Sequence, residues 1–238
     1  MKIKRIHKTI FNLLFSLIKG KTVYKQEILL KLALQESGIE INKLTIECDH
    51  ILGKNYVNGI ELPIKYPISF YEKAKDLIPN KKKYDFYFNG NMATNGKRDI
   101  MLKPFFEDSK SLIINSDDGR VQKNKGKFNI EYFSPFAESK FGLCPHQADW
   151  KGDKEYMWTY RFIESCFVEA IPIIFEDAPL GNKFINNFNY IWSNEVLDRN
   201  NKVIPPIYDK ELATKNRELA FSLFCLTSEE INLIKSTF

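Results

Sequence analysis

Seven residues stand out for the reactions they could support: Asp49, His50, Gly90, Arg98, His146, Arg161 and Glu164. Arg161 and Glu164 lie three apart on one face of an expected helix. A guanidinium there could neutralise a diphosphate while the carboxylate accepts hydrogen bonds from ribose hydroxyls. The same spacing also describes a surface ion pair worth about 0.3 kcal/mol. Phe88-Asn89-Gly90 ends an expected strand, and Arg98 follows in the next helix. Glycine at that point lets backbone amides approach a phosphate, and the arginine adds charge. A strand-ending glycine is equally a plain turn. Cys144-Pro145-His146 opens a polar stretch through Asp149 and Lys151 that leads into the helix carrying Arg161. A third loop, Glu176-Asp177-Ala178-Pro179, follows an apolar strand, where acids are commonly a solvated turn.

Asp49 and His50, just after an expected strand at 44–48, are the candidates for a base that deprotonates an acceptor hydroxyl; such a pair is also a common turn. No Asp-x-Asp triplet occurs. That argues against a divalent metal clamped on a diphosphate and for positive charge in its place. No metal and no cofactor are therefore expected.

These residues need strands to place them and helices to carry them. The periodicity predicts helices over 22–36, 97–108, 155–168, 209–224 and 228–235. Strands are expected over 44–48, 84–89, 111–115, 140–144, 171–175 and 190–192, with a further one near 60–64. From residue 84 onward strands and helices alternate, the pattern of a doubly wound parallel sheet whose ligand sits beyond the strands' C-terminal ends. Pro79, Asn80 and the lysines at 81–83 mark a boundary. The expected division is a helical segment with a small acceptor-side lobe over 1–80 and a Rossmann-like nucleotide-binding lobe over 81–238.

The chain has 238 residues, 44% of them hydrophobic and 14% aromatic, enough for a substantial core. Its net charge of +5 is uneven. Residues 1–35 hold eight Lys or Arg against one acid; the remainder holds 27 against 29 and is close to neutral. A nucleic-acid-binding face on the body is not expected. Four well-spaced cysteines without a CxxC pair read as reduced thiols, and hence a cytoplasmic setting. The apolar run Ile10 to Ile18 has nine residues, short of the ~20 that span a bilayer, and is read as part of the mature chain. With its flanking lysines it forms an amphipathic pattern over 1–20, suited either to packing on the body or to peripheral contact with an anionic membrane.

Taken in order, Ser139-Lys140-Phe141-Gly142-Leu143-Cys144-Pro145, then Arg161 to Glu164, then Ala170-Ile171-Pro172-Ile173-Ile174-Phe175 resemble the SKFxLxP, RxxE and GxIPVI pattern of exostosin-type glycosyltransferases. Phe88-Asn89-Gly90 with Arg98 resembles that family's strand-glycine element. The resemblance covers residues 84–195. It implies a GT-B donor lobe and inverting transfer of a sugar from a nucleotide-sugar donor to a glycan or glycoconjugate acceptor. It further implies donor binding through Gly90, Arg98, His146, Arg161 and Glu164. Two positions depart from the pattern: Glu169 replaces the usual glycine, and His146 stands where arginine is common. The alternatives are a catalytically inactive nucleotide- or glycan-binding scaffold of the same fold, and a fucosyltransferase-like enzyme. Only about 80 residues precede the donor lobe, against the ~150 of a full Rossmann-like lobe.

Overall fold

Tyr84–Gly90 carries aromatic side chains on both faces, with Phe86 and Phe88 packing into one core and Tyr87 into another. A strand with both faces apolar must be covered on both sides. The computed structural model describes residues 25–49, 52–92, 97–116, 127–145, 159–175 and 187–238. Within them, that strand lies inside a five-stranded parallel sheet flanked by helices, an α/β fold.

In chain order the elements are helix α1 (Lys25–Glu36), strands β1 (Ile46–Asp49), β2 (Lys54–Val57) and β3 (Ile60–Pro63), and helix α2 (Ile68–Asp76). Then come β4 (Tyr84–Gly90), α3 (Lys97–Phe106), β5 (Ser111–Asn115), α4 (Ile130–Ala137), β6 (Ser139–Leu143) and α5 (Tyr160–Phe167). The chain closes with β7 (Ile171–Ile174), β8 (Ile191–Trp192), α6 (Lys210–Phe224) and α7 (Ser228–Lys235). The parallel sheet has the order β5-β4-β6-β7-β8. After β5 the chain crosses back over β4 to begin β6, so the winding reverses between β4 and β6. In such sheets the crevice beyond the C-terminal ends at that reversal is where ligands bind.

One face is covered by Tyr132, Phe133 and Phe136 of α4, Phe162, Ile163 and Phe167 of α5, and Ala220 and Phe224 of α6. The other is covered by Leu102 and Phe105 of α3, Val196 and Ala213. Gly142 of β6 permits the first packing. A Cβ there would strike Ser165 Oγ and come within 2.7–2.9 Å of the Phe136 ring. Caps fix the helix starts: Asn129 accepts from Tyr132 N, Thr159 from Arg161 N, Asp209 from Glu211 N and Leu212 N, and Thr227 from Glu230 N.

Strands β1, β2 and β3 form a separate antiparallel meander. Its β2–β3 turn is Asn58-Gly59, both at positive φ (48° and 82°), the two-residue hairpin geometry that this dipeptide favours. Periodicity does not reveal β2, because a polar residue, Asn55, occupies the buried side. Its amide donates to Pro63 O and accepts from Gln26 Nε2, so the inward side reads as polar. Helices α2 and α4 were likewise unexpected: each is nine residues or fewer, one starts straight after Pro67, and the other contains Pro135. The expected helix over 97–108 is present as Lys97–Phe106, and the two C-terminal helices lie where the periodicity puts them.

The apolar core runs across residues 80 and 81. Leu29, Ile64, Tyr66, Phe70 and Tyr71 share a cluster with α4, α5 and α6, and Leu226 and Ile234 pack with α1 and the meander. No helix among the described residues is long and apolar enough to cross a membrane.

Candidate functional site

The loop after β4 and the first turns of α5 meet at the reversal between β4 and β6. Arg161 is 95% buried there. Its Nε donates to Asn89 O at 3.2 Å, and its guanidinium lies 4.4 Å from the centre of the Phe88 ring. Gly90 completes the seat, since a Cβ at that position would run into the guanidinium. Phe88, Asn89 and Gly90 therefore act together: ring, carbonyl and absent side chain hold one arginine at the C-terminal edge of the sheet. The space that glycine leaves at position 90, expected to admit a phosphate, is lined by the Arg161 guanidinium. Arg98, in the first turn of α3, folds back so that its Nη1 donates to Asn91 O at 2.9 Å, just past the same glycine.

Glu164, one turn further along α5, is 1% exposed. Its Oε1 takes the Lys25 ammonium at 2.6 Å and the Tyr66 hydroxyl at 3.3 Å; its Oε2 takes the Tyr132 hydroxyl at 2.9 Å. The Tyr87 hydroxyl extends the network by donating to Tyr132 O at 2.9 Å. Lys25 also stacks over Tyr160, 4.4 Å from its ring centre. A carboxylate this deep needs such partners, because removing a charge from water costs several kcal/mol. The spacing of Arg161 and Glu164 thus does not produce a solvated ion pair. Both side chains turn inward to different partners.

Asp49 ends β1 in the meander, where its Oδ1 accepts from Leu52 N at 2.9 Å and closes the turn to β2. Its carbonyl accepts from Gln26 Nε2 at 3.5 Å. Gln26 and Lys25 are adjacent on α1, so this helix start ties the meander to Glu164. His50 and His146 lie outside the described residues. So do the basic stripe over 1–20, Asp149, Lys151, Glu176 and Asp177.

The opposite end of α5 shows why Glu169 can replace glycine. It sits at φ 54°. Ala170 N bonds back to Ser165 O and Glu169 N to Cys166 O, the paired bonds of a left-handed helix end that normally favours glycine. The left-handed conformation costs a residue with a Cβ roughly 1–2 kcal/mol. Here the carboxylate offsets it by accepting from Arg217 Nη1 at 2.7 Å and the Thr214 hydroxyl at 3.0 Å. Nearby, Lys82 donates to Ala137 O and Val168 O at 2.7 and 2.8 Å, joining the ends of α4 and α5. Burial pushes its ammonium down to about 7, with Glu169 opposing and Lys210 adding to that shift.

Among the described residues no group of three or more His, Cys, Asp or Glu is placed to hold a metal. None of the four cysteines is in a disulfide; burial raises Cys48 to about 11 and Cys225 to about 12, and holds Cys166 well above the usual thiol range. Sequence reasoning missed Lys25, Tyr66, Tyr87 and Tyr132, which contribute to this edge from four different elements or loops. Lys25 counted only as part of a basic segment, and buried tyrosine hydroxyls carry no sequence signal of their partners. No protein-family model matches the chain, and no curated protein shows significant similarity to it.

Proposed function

We propose that the protein is an inverting, metal-independent glycosyltransferase that moves a sugar from a nucleotide-sugar donor to a glycan or glycoconjugate. In this reading residues 81–238 form a donor lobe of the GT-B, exostosin-like kind. The observation that carries it is the seating of Arg161 across Gly90, at the C-terminal edge of a parallel sheet where the winding reverses. A guanidinium held there meets a diphosphate with two parallel hydrogen bonds and stabilises the charge that develops as the nucleoside diphosphate departs. Arg98, from the next helix, adds a second cation to the same edge. Glu164 keeps α5 in register through Lys25, Tyr66 and Tyr132. The base that deprotonates the acceptor hydroxyl comes from the Asp49–His50 segment, which Gln26 ties to the donor side.

A second reading, a nucleotide- or glycan-binding scaffold without transfer, is favoured by the engagement of Asp49 Oδ1 in its own turn. The two separate by experiment. Calorimetric titration of UDP, GDP, CMP and their sugar conjugates, GDP-fucose included, should find one nucleoside diphosphate that binds. Arg161→Ala should weaken it by at least about tenfold, the loss of one charge-assisted contact. Preference for GDP-fucose would identify a fucosyltransferase-like enzyme. Binding without release of sugar to any acceptor or to water would leave the scaffold, and no binding by any probe would end both readings.

A further inference from the structure

Four buried side-chain atoms among the described residues have no hydrogen-bond partner: Gln26 Oε1, Asn89 Oδ1, Ser116 Oγ and Arg217 Nε. Folded proteins leave few such atoms, because each keeps the cost of leaving water. Two of them belong to groups otherwise well engaged. Gln26 Nε2 donates to Lys54 O and Asn55 Oδ1, and Arg217 Nη1 donates to Glu169.

Asn89 Oδ1 and Ser116 Oγ differ in being neighbours. The β4–β5 register pairs Asn89 with Ile114 and Gly90 with Asn115, and Ser116 N donates to Gly90 O at 3.1 Å. Alternation puts Asn89 on the same face as Tyr87. It puts Ser116 on the face of Leu112 and Ile114, which pack into the Tyr87 cluster. Both side chains therefore stand on one face of two adjacent strands at their C-terminal ends. The carbonyl of Asn89 is itself the acceptor for Arg161 Nε.

We infer that Asn89 and Ser116 form a hydroxyl-binding subsite beside the Arg161 seat, taking a ribosyl or glycosyl group. Asn89 Oδ1 only accepts, so its partner must donate; an ionised phosphate oxygen cannot, whereas a sugar hydroxyl can. Ser116 Oγ both donates and accepts, which suits the adjacent hydroxyl of the same ring. Glu164 already takes three donors, so a further sugar hydroxyl at this edge finds its acceptor in Asn89. That the ring belongs to a nucleotide or nucleotide sugar rests on the glycosyltransferase reading; the need of both atoms for a partner does not.

The test has a ligand-free arm and a binding arm. In the free protein Ser116→Ala removes an unpaired hydroxyl without adding bulk and should raise Tm by about 2 °C, with Asn89→Leu moving the same way. An unchanged or lower Tm for Ser116→Ala would mean that the hydroxyl is already satisfied and would overturn the inference. In the binding arm, UDP, GDP, their 2′-deoxy counterparts and UDP- and GDP-sugars are titrated against wild type, Asn89→Ala and Ser116→Ala. Loss of about tenfold for the ribonucleotide but not its 2′-deoxy form assigns the ribose; loss confined to the conjugates assigns the transferred sugar. Equal binding of every probe by all three proteins overturns the subsite. If wild type binds no nucleotide, the transferase reading fails, and titration with ribose and glucose then decides the subsite. Binding that depends on Asn89 supports it, and no binding overturns it.

Discussion

The two ends of α5 each bury a carboxylate, but they bury it differently. At its C-terminal end, on the edge of the sheet where the strands begin, Glu169 pairs with Arg217 and Thr214, while Tyr208 donates to its carbonyl. Every one of these contacts closes a helix end or joins it to α6. One turn inside its N-terminal end, on the side where the strands finish, Glu164 is held as firmly, but by residues drawn from distant parts of the chain: Lys25, Tyr66 and Tyr132. One turn away lie the seated Arg161 and the two orphaned oxygens of Asn89 and Ser116. Burial of charge by itself therefore does not mark a functional site. What separates the ends is that one has a cation bound into its own helix closure. The other combines a fixed cation with polar atoms that still need partners.

The largest expected effect tests how firmly the end around Glu164 is built. Glu164→Ala leaves Lys25 buried beside two tyrosine hydroxyls without their acceptor, and should lower the unfolding free energy by about 3–5 kcal/mol in urea. The double change Lys25→Met with Glu164→Leu should recover the part of that loss that comes from the buried ammonium, since a matched apolar pair replaces a buried ion pair at little cost. A loss under about 1 kcal/mol for the single variant would mean that the network is solvated and the two ends are not comparable.

The next effect sharpens the reading of the closed end. Glu169→Ala removes the partner of Arg217 yet keeps a Cβ in the left-handed conformation, whereas Glu169→Gly removes both. Glycine should therefore be the milder variant by about 1 kcal/mol in the same denaturation experiment. Equal losses would show that the carboxylate pairing alone decides this position.

The smallest effect is a pH dependence confined to the closed end. Lys82 has its folded value lowered to about 7, so between roughly pH 7 and the ordinary lysine value the unfolded chain binds more protons than the folded one. Stability should then rise with pH across that window. Relative to Lys82→Met, wild type should gain about 1 kcal/mol between pH 7 and pH 8, with no further relative change below about pH 6. Glu169 and Lys210 face this ammonium, and a flat difference across the window would show that Glu169 keeps it fully charged in the fold.

Much of the α/β layout was legible because strands with both faces apolar and capped amphipathic helices are local patterns. Tyr84–Gly90, Ile171–Ile174 and the two C-terminal helices fall almost where periodicity puts them. The Asn58-Gly59 turn was equally local, yet its strand escaped notice because buried Asn55 breaks the alternation that periodicity needs. The short helices α2 and α4 escaped because eight or nine residues with a flanking or internal proline give too little repeat to read.

Local sequence was enough to show that strands alternate with helices after residue 84. It also placed Gly90, Arg161 and Glu164 on elements that could meet, since dihedral preferences and apolar spacing act over a few residues. What those residues touch was set by packing across the fold. The strand order puts the winding reversal between β4 and β6, and that brings Arg161 onto Phe88 and Gly90, some 70 positions away. It also closes Glu164 with Lys25, 139 positions distant, and leaves Asn89 and Ser116 side by side without partners. These are contacts across the sheet's edge, set by how layers pack, and no local spacing encodes them.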